Sequence, residues 1–211
     1  TNINIPFCVT HIGENAFLNH DYLLKCNYLT SINVDEENPN YSSTDGILYN
    51  KDKTEIICVP AELKGTFIIP DGVKKIANSA FRLSKLTSIK IPSSVSIIGD
   101  GAFGFSFLTH IEIPSSVTTM SMRIFKDCIN LTSVTMPSNL KICGDAFDGC
   151  SNLKEIIVKE GNQFAFTEDG IYFEIIDGVN TLSLYPSKKE GKTYTVPETV
   201  TVIGNNAFDS V

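Results

Sequence analysis

Gly99-Asp100-Gly101-Ala102-Phe103-Gly104 spells the glycine fingerprint of dinucleotide-binding proteins. That chemistry needs a strand before the glycines, a long helix after them, and an acidic residue about 20 positions on. Leu108, five positions after Phe103, already opens the next strand pattern, so no helix fits. The six cysteines could make disulfides or hold a metal, but no Cys-x-x-Cys spacing exists. Cys26, Cys128 and Cys150 each stand three residues before a strand leucine (Leu29, Leu131, Leu153), a slot that Leu83 and Phe105 take elsewhere. A slot shared with Leu and Phe is apolar, and free cysteine behaves there as a small hydrophobe. Cys143 takes the slot of Ile98, Cys58 lies in a strand and Cys8 in a turn. Free thiols are therefore expected, with Cys128 to Cys150 the best exception. His11, His20 and His110 share no ligand spacing, and no nucleophile elbow or phosphate loop occurs. Asp35-Glu36-Glu37 lacks the glycine and spacing of a calcium loop. Asn40-Tyr41-Ser42 and Asn130-Leu131-Thr132 are formal glycosylation sequons, the second with its leucine expected in the core. No catalytic residue, cofactor or metal is expected.

The composition agrees with a binding or structural role. The chain has 211 residues, 42% hydrophobic and 19% charged, with a net charge of −7. That is globular composition, and its acidity opposes a sequence-independent grip on nucleic acid. No run of 18 apolar residues exists to span a membrane. The opening Thr1-Asn2-Ile3-Asn4-Ile5-Pro6 lacks the charged and apolar regions of a signal peptide, so any leader or anchor is expected outside this sequence.

The elements that carry these residues repeat. Ile69-Pro70, Ile91-Pro92, Ile113-Pro114 and Met136-Pro137 recur every 22 or 23 residues, and Ile5-Pro6 and Val196-Pro197 fit the series. Ala16-Phe17, Ala80-Phe81, Ala102-Phe103, Ile124-Phe125, Ala146-Phe147 and Ala207-Phe208 keep step with them. A Val-x-x-Ile-Gly theme lies between the two markers, as in Val95 to Gly99. Each full unit closes in a strand such as Leu108-Thr109-His110-Ile111-Glu112-Ile113, whose alternation buries one face. Proline then ends the strand, and the phenylalanine fills the space between units. One such unit cannot bury its apolar face alone, but stacked units can, which predicts a solenoid.

Two segments, about 35–69 and 159–196, interrupt the period and resemble each other. Asp45-Gly46-Ile47-Leu48-Tyr49 matches Asp169-Gly170-Ile171-Tyr172-Phe173, and Ile56-Ile57-Cys58-Val59-Pro60 matches Leu182-Ser183-Leu184-Tyr185-Pro186. Two apolar runs around a polar turn predict a β-hairpin in each insert.

The theme Ile-Pro-x-x-Val-x-x-Ile-Gly-x-x-Ala-Phe, closing in Leu-Thr-x-Ile-x-Ile-Pro, resembles the BspA-like leucine-rich repeat family. The segment 45–54 is similar to a recurrent insert of that family. The resemblance implies a surface or secreted protein, without catalytic motif, that serves in adhesion to host proteins or other cells.

The expected fold is a β-rich, leucine-rich-repeat-like solenoid with 22- to 23-residue units and two hairpin inserts. Residues 1–211 are expected to form a single solenoid and to be a piece of a longer chain, because neither end carries a polar capping unit. The expected function is recognition of a protein on a host or neighbouring cell through the outward face of the strand ladder. Lys90, His110, Glu112, Thr135, Glu155 and Ile157 point outward on period 2 and are the candidate binding residues. Lys90 and Glu112 are expected to pair across strands. The alternatives are a structural spacer, or a carbohydrate-binding module using exposed Tyr41, Tyr49 and Tyr172 on the inserts.

Overall fold

A computed structural model describes residues 1–14, 16–17, 28–140, 145–191, 193–205 and 207–208. These form a β-solenoid of about seven turns, with no helix among the described residues. The first ladder strands are β1 (Asn2–Ile5) and β2 (Ser31–Val34), paired in parallel. The first insert follows as β3 (Tyr41–Thr44), β4 (Ile47–Asn50) and β5 (Glu55–Cys58), an antiparallel meander. Next come β6 (Lys64–Ile68), the short β7 (Lys75–Ile76), β8 (Lys85–Lys90) and the short β9 (Ile97–Ile98). The ladder continues through β10 (His110–Glu112), β11 (Ser133–Met136) and β12 (Glu155–Val158). A second meander, β13 (Ala165–Glu168), β14 (Ile171–Ile176) and β15 (Val179–Leu184), leads to β16 (Val202–Ile203).

One coil shows why the repeat reads as it does. The carbonyl of each strand-ending proline accepts from the valine three residues on, at Val73 (3.3 Å), Val95 (3.1 Å) and Val117 (3.1 Å), closing a β-turn. The second side of the coil then pairs in parallel, Ile56 against Ile76 and Ile76 against Ile98. A corner follows, with positive φ two residues before the phenylalanine (Ser79, Gly101, Arg123) and two after it (Leu83, Phe105, Asp127, Gly149). Corner stacks on corner: Phe81 N–H donates to Ala102 O (2.8 Å), Phe103 to Ile124 O (3.0 Å) and Phe125 to Ala146 O (2.9 Å). The rings form a continuous spine through the core, Phe67–Phe81–Phe103–Phe125–Phe147–Tyr172, with neighbouring centroids 5.4 to 6.4 Å apart. The Leu-Thr signature also has a physical cause. Leu86, Leu108, Leu131 and Leu153 are buried. The threonine after each of the first three reaches back, Thr87 Oγ1 to Gly65 O (3.2 Å), Thr109 to Thr87 O (3.2 Å) and Thr132 to Thr109 O (2.7 Å), while Lys154 follows Leu153.

The inserts are larger than expected. Each has a third strand, β3 or β13, ahead of the predicted hairpin, and Asp45-Gly46 and Asp169-Gly170 both hold positive φ at a two-residue turn. Each turn lands on a ladder strand: Ile32 N–H donates to Gly46 O (2.8 Å), and Ile156 N–H to Gly170 O (3.3 Å).

The cysteine slot also needs correction. Cys128 and Cys150 lie three residues after a corner phenylalanine, the place of Ser84 and Ser106, all four of them buried. Leu83 and Phe105 instead occupy the positive-φ corner and are half-buried. The two slots differ because the cysteine units hold one more residue between corner and ladder. Cys8, Cys58, Cys128 and Cys150 are free, Cys8 exposed and the others buried. Cys26, Cys143 and His20 lie outside the described residues.

Candidate recognition face

The outward side chains of the ladder fall into two rows. Thr66 stands beside Ser88, and Ile68 beside Lys90. His110, Ser133 and Glu155 are in register, as are Glu112, Thr135 and Ile157. Thr109 seats β10 on β8 by donating both its N–H (3.1 Å) and its hydroxyl (3.2 Å) to Thr87 O. The structure therefore brings Lys90, Glu112, Thr135 and Ile157 into one row and His110 and Glu155 into the other. Lys90, His110, Glu112, Glu155 and Ile157 are exposed and Thr135 is half-buried. His110 Nδ1 lies 3.1 Å from the Thr109 hydroxyl.

Glu112 does not take Lys90 as its partner. Its carboxylate accepts from Lys159 Nζ at 2.6 Å, from the chain leaving β12. Lys159 follows a strand end rather than sitting in one, so alternation carried no signal for it. Lys64 and Lys90 are exposed and make no ion pair among the described residues. Lys85 binds Glu62 at 2.5 Å, and that hydrogen bond holds the Glu62 carboxyl below its usual range.

The aromatic platform for sugars is corrected. Tyr49 and Tyr172 are each only 2% exposed. Burial, with Asp45 nearby, pushes the Tyr49 phenol up. Tyr41 is half-buried, and its hydroxyl accepts from Ile12 N–H at 3.0 Å. These rings serve the core and the insert base.

A second feature went unread in the sequence. An open cleft of about 800 Å³ is lined by Asp145, Asp148, Glu174 and Asp177 beside Ile176 and Ile203. Its carboxylates come from a corner and from the second insert, which sequence spacing does not bring together. Arg123 Nε lies 3.5 Å from Asp145, and the Ser183 hydroxyl donates to Glu174 at 2.6 Å. Among the described residues no three His, Cys, Asp or Glu side chains gather as a metal site, and no helix is long and apolar enough to cross a membrane.

Residues 99–104 are the repeat theme in three dimensions: the two-residue β9 precedes them and a corner follows. A Cβ on Gly99 would lie 2.4 Å from Asn78 Oδ1, so this glycine permits coils to approach.

Parallel coils of 22 to 23 residues with an alternating ladder on one side define a leucine-rich-repeat solenoid. Residues 58–169, just over half the chain, match the BspA-type leucine-rich repeat region in six copies, and the chain belongs to that family. A leucine-rich repeat protein from Eubacterium ventriosum is 26% identical, with TM-score 0.66, over 99% of this chain and 58% of its own. A leucine-rich cell surface protein from Faecalibacterium prausnitzii is 30% identical, with TM-score 0.56, over 75% of this chain and 48% of its own. The pneumococcal vaccine antigen PcpA shares the fold, at 21% identity and TM-score 0.69, over 100% of this chain and 52% of its own. The chain thus spans about half the length of these solved proteins. No curated protein matches the sequence. Leucine-rich repeat proteins of this kind are typically non-catalytic.

Proposed function

We propose that this chain is a non-catalytic recognition module of a cell-surface or secreted protein, and that it binds another protein through the outward face of the ladder. The observation that carries this reading is the two in-register rows on β8, β10, β11 and β12, where Lys90, His110, Glu112, Glu155 and Ile157 are exposed on a rigid backbone. Repeat proteins build binding surfaces in this way, with inward positions held constant by packing and outward ones free to vary. The likeness to a leucine-rich cell surface protein supports the location.

The test is capture of extracellular-matrix and bacterial-surface proteins by the isolated chain. The Lys90→Glu/Glu112→Lys variant is then measured against each partner found. Weaker binding at an unchanged melting temperature supports the reading. Parent-like binding by the variant moves the site off this row. No partner in either panel favours a spacer.

A further inference from the structure

β6 differs from every other internal rung of the ladder. It pairs with β8 on one side, and among the described strands it packs against no other. The coils are in contact just before it, where Glu62 N–H donates to Leu29 O at 3.1 Å. They then part. The edge of β2 that β6 would have met is taken by the first insert, through Gly46 O on Ile32 N–H and Ser43 Oγ on Val34 N–H (2.9 Å). Among the described residues, β6 is left with an open edge in mid-solenoid.

The direction of its backbone groups follows from alternation. Ile69 N–H donates to Lys90 O at 3.1 Å, so Ile69 faces β8. Neighbouring residues of a strand face opposite edges, so Thr66 and Ile68 turn their N–H and C=O groups to the open side. Ile68 is 65% exposed, the highest value for a large apolar side chain among the described residues. Phe67, which begins the aromatic spine, is only half-buried. Proteins normally cover, shorten or bulge such an edge away, since it is a template for another strand. Here β6 carries an irregularity at its start, between Gly65 (φ +82°) and Thr66, and beyond it the strand runs regularly with charge of one sign along it: Lys64 on β6 and Lys90 on β8.

We propose that the open edge of β6 is a strand-addition site for an extended segment of a partner protein whose side chains alternate between apolar and acidic. Only an extended backbone matches the spacing of the Thr66 and Ile68 groups. Its inward side chains cover Phe67, and its outward carboxylates reach Lys64 and Lys90. Complementary charge selects such a segment on a protein whose own net charge is −7. This site rests on the protein-recognition reading above and gives it a mode.

The probe is a short synthetic peptide alternating valine with glutamate, followed by amide hydrogen exchange in NMR. At saturation, exchange at Thr66 and Ile68 slows about tenfold or more, while Phe67, already bonded to β8, is unchanged. The lysine version of the peptide and a backbone N-methylated version give no protection. Ile68→Glu, which keeps the backbone edge, weakens binding at least about tenfold through like charge, and Thr66→Pro abolishes protection at Ile68. Absence of protection at Thr66 and Ile68, or equal protection by the lysine peptide, overturns the proposal. If Lys90→Glu/Glu112→Lys loses a natural partner that Thr66→Pro and Ile68→Glu both retain, face recognition stands and strand addition falls. Protection by the peptide, with a natural partner lost on Thr66→Pro but retained by Glu112→Lys with Lys159→Glu, overturns the row alone.

Discussion

Asn38 and Asn162 make the same four hydrogen bonds at the roots of two different inserts. Asn38 Nδ2 donates to Pro6 O (2.9 Å) and Val9 O (3.0 Å), and its Oδ1 accepts from the N–H groups of Asn40 and Tyr41 (both 2.9 Å). Asn162 Nδ2 donates to Pro137 O (3.2 Å) and Leu140 O (2.9 Å), and its Oδ1 accepts from Phe164 (2.8 Å) and Ala165 (3.1 Å). In each case one amide ties the first residues of a meander to the proline turn of the coil before it. Two donors facing two carbonyls and one oxygen facing two N–H groups is a set that only an amide supplies.

Asn38 is fully buried and Asn162 half-buried, which orders the expected losses. Asn38→Ala orphans backbone groups where no water replaces them and costs about 3 kcal/mol in urea unfolding. Asn162→Ala costs about half that, because solvent reaches the site. Asn38→Asp is as harmful as alanine, since a carboxylate cannot donate to Pro6 and Val9. Equal and negligible losses at both positions would remove the amide from any role in seating the inserts.

Gly99 and Gly101 belong to one apparent fingerprint but answer to different forces. An alanine Cβ at Gly99 meets Asn78 N at 2.6 Å and Ala77 C at 2.8 Å, so backbone must move. Gly99→Ala is expected to cost about 3 kcal/mol or more. At Gly101 the nearest atom is 3.7 Å away and φ is +56°, a conformation that Ser79 and Arg123 adopt in the same slot. Gly101→Ala costs about 1 kcal/mol. Chemical denaturation of the two variants distinguishes close packing of coils from a ligand-binding loop, for which Gly101 would be as sensitive as Gly99.

Where a residue's own chemistry dictates its place, the sequence could be read directly. Proline must end its strand and phenylalanine must fill the core, so Ile91-Pro92 and Ala102-Phe103 mark the coil correctly. The row from Lys90 to Ile157 follows from alternation alone. β3 was missed because Tyr41-Ser42-Ser43-Thr44 has no apolar alternation: its order comes from Asn38 and from pairing with β4. The burial of Tyr49 and Tyr172 was missed because a polar turn beside an aromatic looks like a surface, while here the turn folds onto the ladder. The cleft at Asp145 and Glu174 depends on where a meander lands, which no local pattern encodes.

The column Ser84, Ser106, Cys128, Cys150 predicts both chemistry and pH dependence. Cys128 Sγ donates to Phe103 O (3.0 Å) and lies 3.4 Å from Ser106 Oγ, while Cys150 Sγ donates to Phe125 O (3.1 Å). Burial pushes the Cys58 thiol up to about 12 and the Cys128 thiol to about 11, from an ordinary value of 9.0. It raises Cys150 too. In the folded protein at pH 8, iodoacetamide followed by peptide mass spectrometry should label Cys8 and spare Cys58, Cys128 and Cys150 until urea is added. The folded state keeps protons that the unfolded state gives up above its own thiol value. Stability therefore falls as pH rises from about 9 toward 11, and Cys128→Ser flattens that slope. Ser84 Oγ is buried with no hydrogen-bond partner among the described residues, so Ser84→Ala is neutral or stabilising by up to about 1 kcal/mol. Native labelling of Cys128 as fast as Cys8 would contradict the packing of the column.

The pairing of Glu112 with Lys159 changes how the recognition row must be probed. Both side chains are more than half exposed, at 65% and 53%, so solvent screens the pair. A double-mutant cycle of Glu112→Ala and Lys159→Ala should give a coupling below about 1 kcal/mol that fades in 0.5 M salt. The cycle of Lys90→Ala with Glu112→Ala should give almost none. Reversing charge at Glu112 alone sets two cations side by side and rotates both side chains away from the row. The clean variant is therefore Glu112→Lys with Lys159→Glu, which keeps the contact and inverts its direction. A partner that reads the sign of charge at position 112 loses affinity for this variant, while its urea midpoint stays at the parent value. A partner that tolerates the inversion but is lost on Lys90→Glu uses the cationic end of the row. One indifferent to both changes does not dock on these strands.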